Sequence, residues 1–324
     1  VDVGQGKILN IVCGAPNVSA DKYVIVATEG CKVGDLIIEP TVIRGEKSEG
    51  MLCSLSEIGI DEKVLSQEDK DGIFLFDEEQ EIGKNALEVI GLADSVIELS
   101  LTANRGDCLS YVGLTRDLSS IIENVKFPEI KNANSSFEND LNVEISDENT
   151  NYLSITKIKN IENLKTPTWL KIWNAKQGVK SQNLVVDAAN YVMYVLGTPI
   201  HTYDATKISG KIRSVILSEE EKYTGLDEVE YSLKKGNLVI KDDNKTISLA
   251  SVLGSNETKV TNETNSIAIE VGMFDPVAVR KTASVIGKKT DASMRGEKRV
   301  DQKQANNAIS LLFSILKESN PKLE

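Results

Sequence analysis

The sequence predicts an α+β protein of more than one domain, in which an N-terminal β-barrel is followed by a mixed α/β domain. The length of 324 residues exceeds the usual size of a single domain. Residues 1–93 alternate short apolar runs with glycine-containing turns, which is typical of small all-β domains. Residues 143–324 combine strand-like and helix-like periodicity, so the two parts are expected to fold differently.

Residues 1–93 are predicted to contain short strands separated by turns. The candidate strands are residues 8–13, 22–28, 35–39 and 73–76. This spacing fits a five-stranded barrel of the oligonucleotide-binding (OB) type, and such barrels commonly bind RNA. The segment is acidic and its aromatic residues are Tyr23, Phe74 and Phe76. A platform of stacked aromatic rings is therefore not visible, and chemistry alone supports RNA binding weakly.

Residues 94–125 predict a strand followed by a helix. Residues 96–101 form the strand, and Asn104 or Asp107 can cap the helix that follows. That helix has one apolar face with no obvious partner nearby. Residues 126–142 are rich in Asn, Ser and Glu without periodicity, so they are predicted to be a linker. The second compact domain is expected at residues 143–324.

The only histidine of the chain follows a predicted buried helix. Apolar residues recur at helical spacing from Leu184 to Leu196. Gly197 can adopt the left-handed conformation past a helix end, and Pro199 prevents the helix from continuing. The helix is therefore expected to stop and to place His201 in a loop. A capping histidine is the ordinary interpretation of such a position, so a functional role needs support from other residues.

Two later segments offer polar groups that could share a pocket with this histidine. Glu270 is predicted to end a short apolar strand that starts at Ile267, and residues 290–295 are predicted to form a polar loop. An imidazole and a carboxylate can position a water molecule or a hydroxyl, so the set suits hydrolysis without a metal. A solvated edge carboxylate is the alternative for Glu270. The sequence has no nucleophile elbow and no phosphate-binding Gly-Lys loop.

Charge and cysteine content limit the possible partners. Lys and Arg number 37 against 49 Asp and Glu, and the net charge of −12 argues against general attraction to nucleic acid. The four cysteines are widely spaced, so they are expected to be reduced, and a zinc site is not expected. A local basic run occurs late in the chain, for which a solvated helix surface is the ordinary interpretation. Its members are Arg280, Lys281, Lys288, Lys289, Arg295, Lys298, Arg299 and Lys303.

Several motifs together resemble one family, the β subunit of bacterial phenylalanyl-tRNA synthetase. They are residues 11–18 (IVCGAPNV), 48–54 (SEGMLCS), 104–110 (NRGDCLS), 274–283 (FDPVAVRKTA) and 290–293 (TDAS). The resemblance runs along nearly the whole chain, and the blocks in one order are far more specific than any one of them. It implies an OB-like tRNA-binding barrel and an editing domain. The family's N-terminal segment, absent from this sequence, would complete a small domain with residues 94–125.

The resemblance also implies the assembly and its cofactors. It implies a cytoplasmic (αβ)₂ heterotetramer in which an α subunit carries the aminoacylation site. The expected partners are tRNA(Phe) and that α subunit, whereas DNA and membranes are not expected. ATP and Mg²⁺ would serve the complete enzyme, and no cofactor is expected in the residues of this chain.

The editing domain of this family removes tyrosine from mischarged Tyr-tRNA(Phe). A hydrophobic synthetic pocket rejects a near-isostere that only adds a hydroxyl by about 10²-fold, so a second site is needed. By resemblance, Glu270 with Gly254 would read the tyrosine hydroxyl, and His201 with Asn190 would hold the terminal adenosine and the hydrolytic water. Three further residues would bind substrate. They are Thr290, Ala292 and Lys180.

The chain departs from the family pattern near this site. Lys180 replaces an arginine, which loses bidentate phosphate recognition, and Ala189 replaces a threonine before Asn190. Ser251 and Ser255 replace glycines on either side of Gly254. An alternative function is therefore a non-catalytic RNA-binding scaffold whose editing site has degenerated.

Overall fold

A computed structural model describes residues 1–133, 141–287, 289–299 and 301–324. The chain divides into two compact units. The first unit contains Val1–Glu98 and Thr166–Gln182, and the second contains Leu99–Lys165 and Asn183–Glu324. Residues 134–140 of the predicted linker, as well as Lys288 of the basic run, lie outside the described residues.

The described residues form sixteen β-strands and eight α-helices. The strands are β1 (Val26–Thr28), β2 (Lys32–Val33), β3 (Leu36–Ile37), β4 (Thr41–Ile43), β5 (Glu46–Ser48), β6 (Gly50–Leu52), β7 (Asn142–Ile145), β8 (Thr150–Ile158), β9 (His201–Asp204), β10 (Lys211–Ile216), β11 (Glu221–Thr224), β12 (Glu230–Leu233), β13 (Leu238–Lys241), β14 (Thr246–Leu249), β15 (Leu253–Gly254) and β16 (Ile267–Phe274). The α-helices are α1 (Gln67–Asp71), α2 (Ala86–Val89), α3 (Tyr111–Leu118), α4 (Thr168–Lys176), α5 (Leu184–Leu196), α6 (Pro276–Ile286), α7 (Asp291–Gly296) and α8 (Ala305–Ser319).

The strands of the first unit form two-stranded ladders. β1 pairs with β6, β2 with β3, and β4 with β5, all antiparallel. The strands predicted at 22–28 and 35–39 are shorter than expected. Those predicted at 8–13 and 73–76 are wrong, since Ile8 and Leu75 make only isolated bridges. The described ladders do not close a barrel, which stays a prediction.

A helix from later in the chain completes the core of the first unit. Ile172 of α4 is 2% exposed and packs in the cluster that contains Ile25, Leu55 and Leu65. Lys171 of the same helix donates to Asp69 at 2.9 Å from a largely buried position. The first unit is thus built from two separate stretches of sequence.

The strand predicted at residues 96–101 is wrong. These residues are coil, and Val96 and Ile97 are 81% and 78% exposed. The helix after it is confirmed as α3, but its cap is Ser110, whose Oγ accepts from the Gly113 N–H at 3.0 Å. Asp107, predicted as a cap, instead binds the Arg105 guanidinium.

Two sheets form the centre of the second unit. One has the order β15-β14-β13-β10-β7, in which β7 runs parallel to β10 and the other pairs are antiparallel. The other is antiparallel and has the order β8-β16-β9. The turn residues Asp242, Asp243 and Asn244 between two apolar runs predict a hairpin over 238–249, which is confirmed as β13 and β14. Apolar residues of both sheets and of α6 share one buried cluster.

The helices of this unit begin and end largely where the sequence predicts. Asn183 caps α5 and Gly197 ends it at φ +78°. The order Asp275, Pro276 and Gly287 predicts a helix over 277–286, which is confirmed as α6, capped by Asp275 and ended by Gly287 at φ +65°. Apolar periodicity predicts a last helix from Asp301, but this helix, α8, starts at Ala305 after a short 3₁₀ turn. No helix in the described part of the chain is long and apolar enough to cross a membrane.

The position of α4 leads to a testable prediction. Truncating Ile172 to alanine should cost about 2–5 kcal/mol, because the side chain leaves a cavity in the core of the first unit. Hydrogen exchange should then speed up at the Cys53 amide, which donates to the Ile25 carbonyl at 2.9 Å. Val277→Ala is the control, because this side chain is 67% exposed. Unchanged exchange at Cys53 in Ile172→Ala would contradict this account of the core.

Candidate functional site

The geometry of the site starts from the pairing of β9 with β16. His201 lies directly opposite Glu270 in this antiparallel ladder. Residues opposite one another project from the same face, as do residues two apart on one strand. Tyr203 therefore shares a face with both side chains. Two predictions are corrected here: His201 begins a strand and is not in a loop, and Glu270 lies inside β16 and does not end it.

The other sheet supplies the facing residues. Ser248 of β14 and Gly254 of β15 are opposite one another in their own ladder. The Tyr203 hydroxyl donates to Glu270 Oε2 in a short hydrogen bond, and its oxygen lies 2.9 Å from Ser248 Oγ. Ser248 also donates to Glu270 Oε2 at 3.3 Å. The two sheets are thus joined by a buried polar network of Tyr203, Ser248 and Glu270.

Glu270 is a buried carboxyl. It is 4% exposed, and burial raises its pKa to about 7, although the hydrogen bonds from Tyr203 and Ser248 offset part of that rise. Near pH 7 the group is therefore divided between its neutral and ionised forms. Both hydrogen bonds described for this carboxyl end on the same oxygen, Oε2.

His201 is held between Tyr203 and Gly254. The two rings meet edge to face, with their centroids 4.4 Å apart. A Cβ at position 254 would lie 2.0 Å from the imidazole Cε1, so only glycine leaves room for the ring. Burial lowers the pKa of His201 to about 4, and the imidazole is consequently neutral at pH 7.

The loop before Gly254 is tied to α7. Thr290 caps α7 by accepting from the Ser293 N–H at 3.1 Å, and its hydroxyl donates to the Val252 carbonyl at 3.0 Å. Ser251 donates to the Ala292 carbonyl at 3.4 Å. The structure thus brings Thr290 and Ala292 to the strand that carries Gly254. The polar loop predicted at 290–295 is instead helical, because Thr290 and Ser293 form a reciprocal capping box.

Ser251 and Ser255, where the family resemblance leads us to expect glycine, have defined places in the structure. Ser251 has φ +57°, a left-handed conformation that favours glycine. A Cβ at position 296 would lie only 2.7 Å from the Ser251 Oγ, so the glycine at that position leaves room for the serine side chain. Ser255 has an ordinary φ of −82° and accepts from the Glu257 N–H at 3.2 Å. Ser251 and Ser255 thus each make a hydrogen bond in the structure.

Two predicted site residues are not connected to this network by a described hydrogen bond. Asn190 is half-buried in the middle of α5, next to the buried Ala189. Lys180 is exposed, follows α4 and belongs to the first unit. In the described part of the chain, no group of three or more His, Cys, Asp or Glu residues could hold a metal ion.

The sequence pattern does not single out Tyr203 or Ser248, and it places Arg295 in a basic run that is expected to be exposed. Tyr203 could have been found from its period-two spacing after His201, but Ser248 carries no local signal. Arg295, counted in the basic run, is not on the surface. It is 5% exposed, lies over the Tyr194 ring at 4.7 Å and donates to the Leu109 carbonyl at 3.2 Å.

The buried carboxyl leads to a prediction about pH. The unfolded chain ionises Glu270 near pH 4.5, whereas the folded chain keeps this carboxyl protonated up to about pH 7. Folding stability therefore falls as pH rises between these two values, by about 3 kcal/mol in all. Glu270→Gln cannot ionise and should lack this loss. Urea unfolding at pH 5 and pH 8 measures the difference, and Glu263→Gln, at an exposed position, is the control. Equal pH dependence in wild type and Glu270→Gln would contradict the buried, ionisable carboxyl.

Comparison with known families covers both units. The family described as "B3/4 domain" matches residues 149–321, and the family described as "Putative tRNA binding domain" matches residues 1–85. A crystal structure of an N-terminal fragment of the phenylalanyl-tRNA synthetase beta-subunit from Pyrococcus horikoshii has a TM-score of 0.32 and 16% identity. It covers 58% of this chain and 59% of that one, and a likeness this distant supports no conclusion.

Curated relatives match almost the whole chain. The phenylalanine–tRNA ligase beta subunit of Halalkalibacterium halodurans is 35% identical over 324 residues, and that of Staphylococcus haemolyticus is 36% identical over 326 residues. In both cases the match covers 98% of this chain and 40% of the relative, so the chain spans less than half the length of these relatives. The resemblance predicted from the motifs is confirmed. The chain belongs to the B3/4 domain family, and it is similar to phenylalanine–tRNA ligase beta subunits.

Proposed function

We propose that this chain is part of the β subunit of a phenylalanine–tRNA ligase, and that it binds tRNA(Phe) and hydrolyses mischarged Tyr-tRNA(Phe). The observation that carries the proposal is the buried Glu270 carboxyl opposite His201. A non-catalytic RNA-binding scaffold with a degenerate site is the alternative, and Ala189 beside Asn190 is the residue that favours it.

The arrangement at Glu270 supports discrimination between tyrosine and phenylalanine. With Oε2 engaged by Tyr203 and Ser248, Oε1 can accept a hydrogen bond from a phenolic hydroxyl. Phenylalanine would leave this buried oxygen without a partner, and a lost hydrogen bond to a charged group costs about 1.5–3 kcal/mol. The site therefore rewards the group that a hydrophobic synthetic pocket fails to reject.

His201 suits the ester-cleaving end of the site. A neutral imidazole can accept a proton from water on one nitrogen and donate from the other. In the proposed reaction, water attacks the ester carbonyl, the bond from the carbonyl carbon to the ribose oxygen breaks, and that oxygen receives a proton. Asn190 and a neighbouring ribose hydroxyl of the tRNA assist, and the products are free tyrosine and uncharged tRNA(Phe). No covalent enzyme intermediate is required.

The rest of the tRNA would contact the first unit and the basic residues near α7. Arg280, Lys289 and Arg299 are exposed around that helix and could meet phosphates, and Lys180 is a further candidate. The proposed domains are an OB-like barrel at 1–93, a piece of a small domain at 94–125, a linker at 126–142 and an editing domain at 143–324.

The proposal extends to the complete enzyme. It includes a cytoplasmic (αβ)₂ heterotetramer in which ATP and Mg²⁺ serve aminoacylation on the α subunit. The relatives' names as beta subunits support a partner chain. We assign neither ATP nor Mg²⁺ to residues of this chain.

Deacylation of Tyr-tRNA(Phe) tests the proposed function. Glu270→Ala should lower the preference for Tyr-tRNA(Phe) over Phe-tRNA(Phe) by about 10- to 100-fold, because it removes the acceptor for the phenol. His201→Ala should slow hydrolysis of both esters. Glu263→Ala, at an exposed position, is the control for Glu270→Ala. Unchanged rates in both variants would remove these roles, and a wild-type chain that binds tRNA without hydrolysis would favour the scaffold.

A substitution at Gly254 tests the space beside the histidine. Gly254→Ala should displace the imidazole, since the new methyl would lie 2.0 Å from its Cε1, and should reduce deacylation at least tenfold. Gly59→Ala is the control, because no atom within 4 Å would meet a Cβ there, although its φ of +104° carries some backbone strain. Wild-type deacylation by Gly254→Ala would show that the ring position does not matter.

A further inference from the structure

Tyr203 is a fully buried tyrosine whose hydroxyl donates a hydrogen bond to Glu270, the residue proposed to determine specificity. It is 0% exposed, and its hydroxyl donates to Glu270 Oε2 and lies 2.9 Å from Ser248 Oγ. A phenylalanine would fill the same core volume, so packing alone does not require the hydroxyl. The chain has thus placed its own phenol against the carboxyl that is proposed to recognise a phenol.

The same residue links the two ends of the site. On one side its ring meets the His201 imidazole edge to face, and on the other its hydroxyl meets Glu270. His201 is in turn confined by Gly254, where no Cβ fits. The Glu270 carboxyl is therefore oriented by Tyr203 from its own sheet and by Ser248 of β14 from the other sheet.

We propose that Tyr203 is a specificity-determining residue of this site: with Ser248 it fixes Glu270 through Oε2, so that Oε1 is the oxygen presented to a substrate's phenolic hydroxyl. This inference rests on the proposed function. A carboxyl free to rotate would offer either oxygen, or exchange with water, and would discriminate less between an aryl ring with and without a hydroxyl. Tyr203 acts through Glu270 and does not contact the reacting ester.

The charge of the site is consistent with this role. The hydrogen bonds from Tyr203 and Ser248 lower the pKa of Glu270 against the larger effect of burial. They thereby keep a fraction of the group ionised near pH 7, and an ionised carboxylate is the stronger acceptor for a phenol. Removing the Tyr203 hydroxyl should raise the pKa of Glu270 further and weaken this acceptor.

Tyr203→Phe is the test, with two readouts. The first is the titration of the Glu270 carboxyl, followed by ¹³C NMR and assigned with Glu270→Gln; its pKa should rise from about 7 in Tyr203→Phe. The second is the ratio of affinities for tyrosine amide and phenylalanine amide, with deacylation of the two aminoacyl-tRNAs measured in parallel. We expect the preference for the phenol to fall at least tenfold. Ser248→Ala should shift both readouts in the same direction by less, because its bond is the longer one at 3.3 Å.

Tyr231→Phe is the matched control. Tyr231 is also buried and also donates to a carboxylate, Asp227 Oδ2, at 2.6 Å, and this described hydrogen bond does not involve Glu270. Its variant should keep the wild-type carboxyl titration and the wild-type preference. Should Tyr203→Phe fail to fold, Ser248→Ala decides by the same two readouts.

The outcomes separate the inference from the proposed function. An unchanged titration and an unchanged preference in Tyr203→Phe would overturn the inference. A chain that prefers tyrosine amide, loses that preference in Tyr203→Phe and yet hydrolyses no ester would support the inference and overturn the hydrolase. A wild-type chain that binds neither amide would overturn both.

Discussion

One buried carboxyl holds the second unit's site together. Glu270 lies between two sheets with its charge only partly compensated, and Tyr203 and Ser248 approach it from different strands. Burying an ionisable group without partners is costly, so the position is tolerable only while both sheets keep their register. A one-residue slip of β9 would move His201 and Tyr203 to the opposite face. The packing of the core and the chemistry of the site therefore depend on the same hydrogen bonds.

The sequence predicts local features of the fold well because their causes are local. The cap and stop residues of α5 and α6 act within a few positions, and the turn between β13 and β14 joins neighbouring strands. The errors occur where distant residues decide. Residues 96–101 have a strand-like composition but find no ladder among the described residues. The partners of Glu270 are 67 and 22 residues away in sequence, so their network could not be read from any local pattern.

Only part of the network around Glu270 could be predicted from the sequence, and its geometry could not. Family resemblance supplied His201, Glu270, Gly254, Thr290 and Ala292, and the structure gathers these residues around β15 and its neighbours. It did not supply the reason for Gly254, which is the close approach of the imidazole. Nor did it foresee how Ser251 is accepted, through a left-handed backbone and the space left by Gly296.

In the proposed function, the Glu270 carboxyl recognises the one hydroxyl group that a hydrophobic synthetic pocket discriminates poorly. The chain must then distinguish two esters that differ by a single oxygen. The most direct measurement is single-turnover deacylation of Tyr-tRNA(Phe) and Phe-tRNA(Phe) by the wild-type chain at pH 7. We expect the tyrosyl ester to be hydrolysed at least tenfold faster, in line with about 1.5–3 kcal/mol for one hydrogen bond to a charged group. Equal rates for the two esters, or no hydrolysis of either, would contradict it.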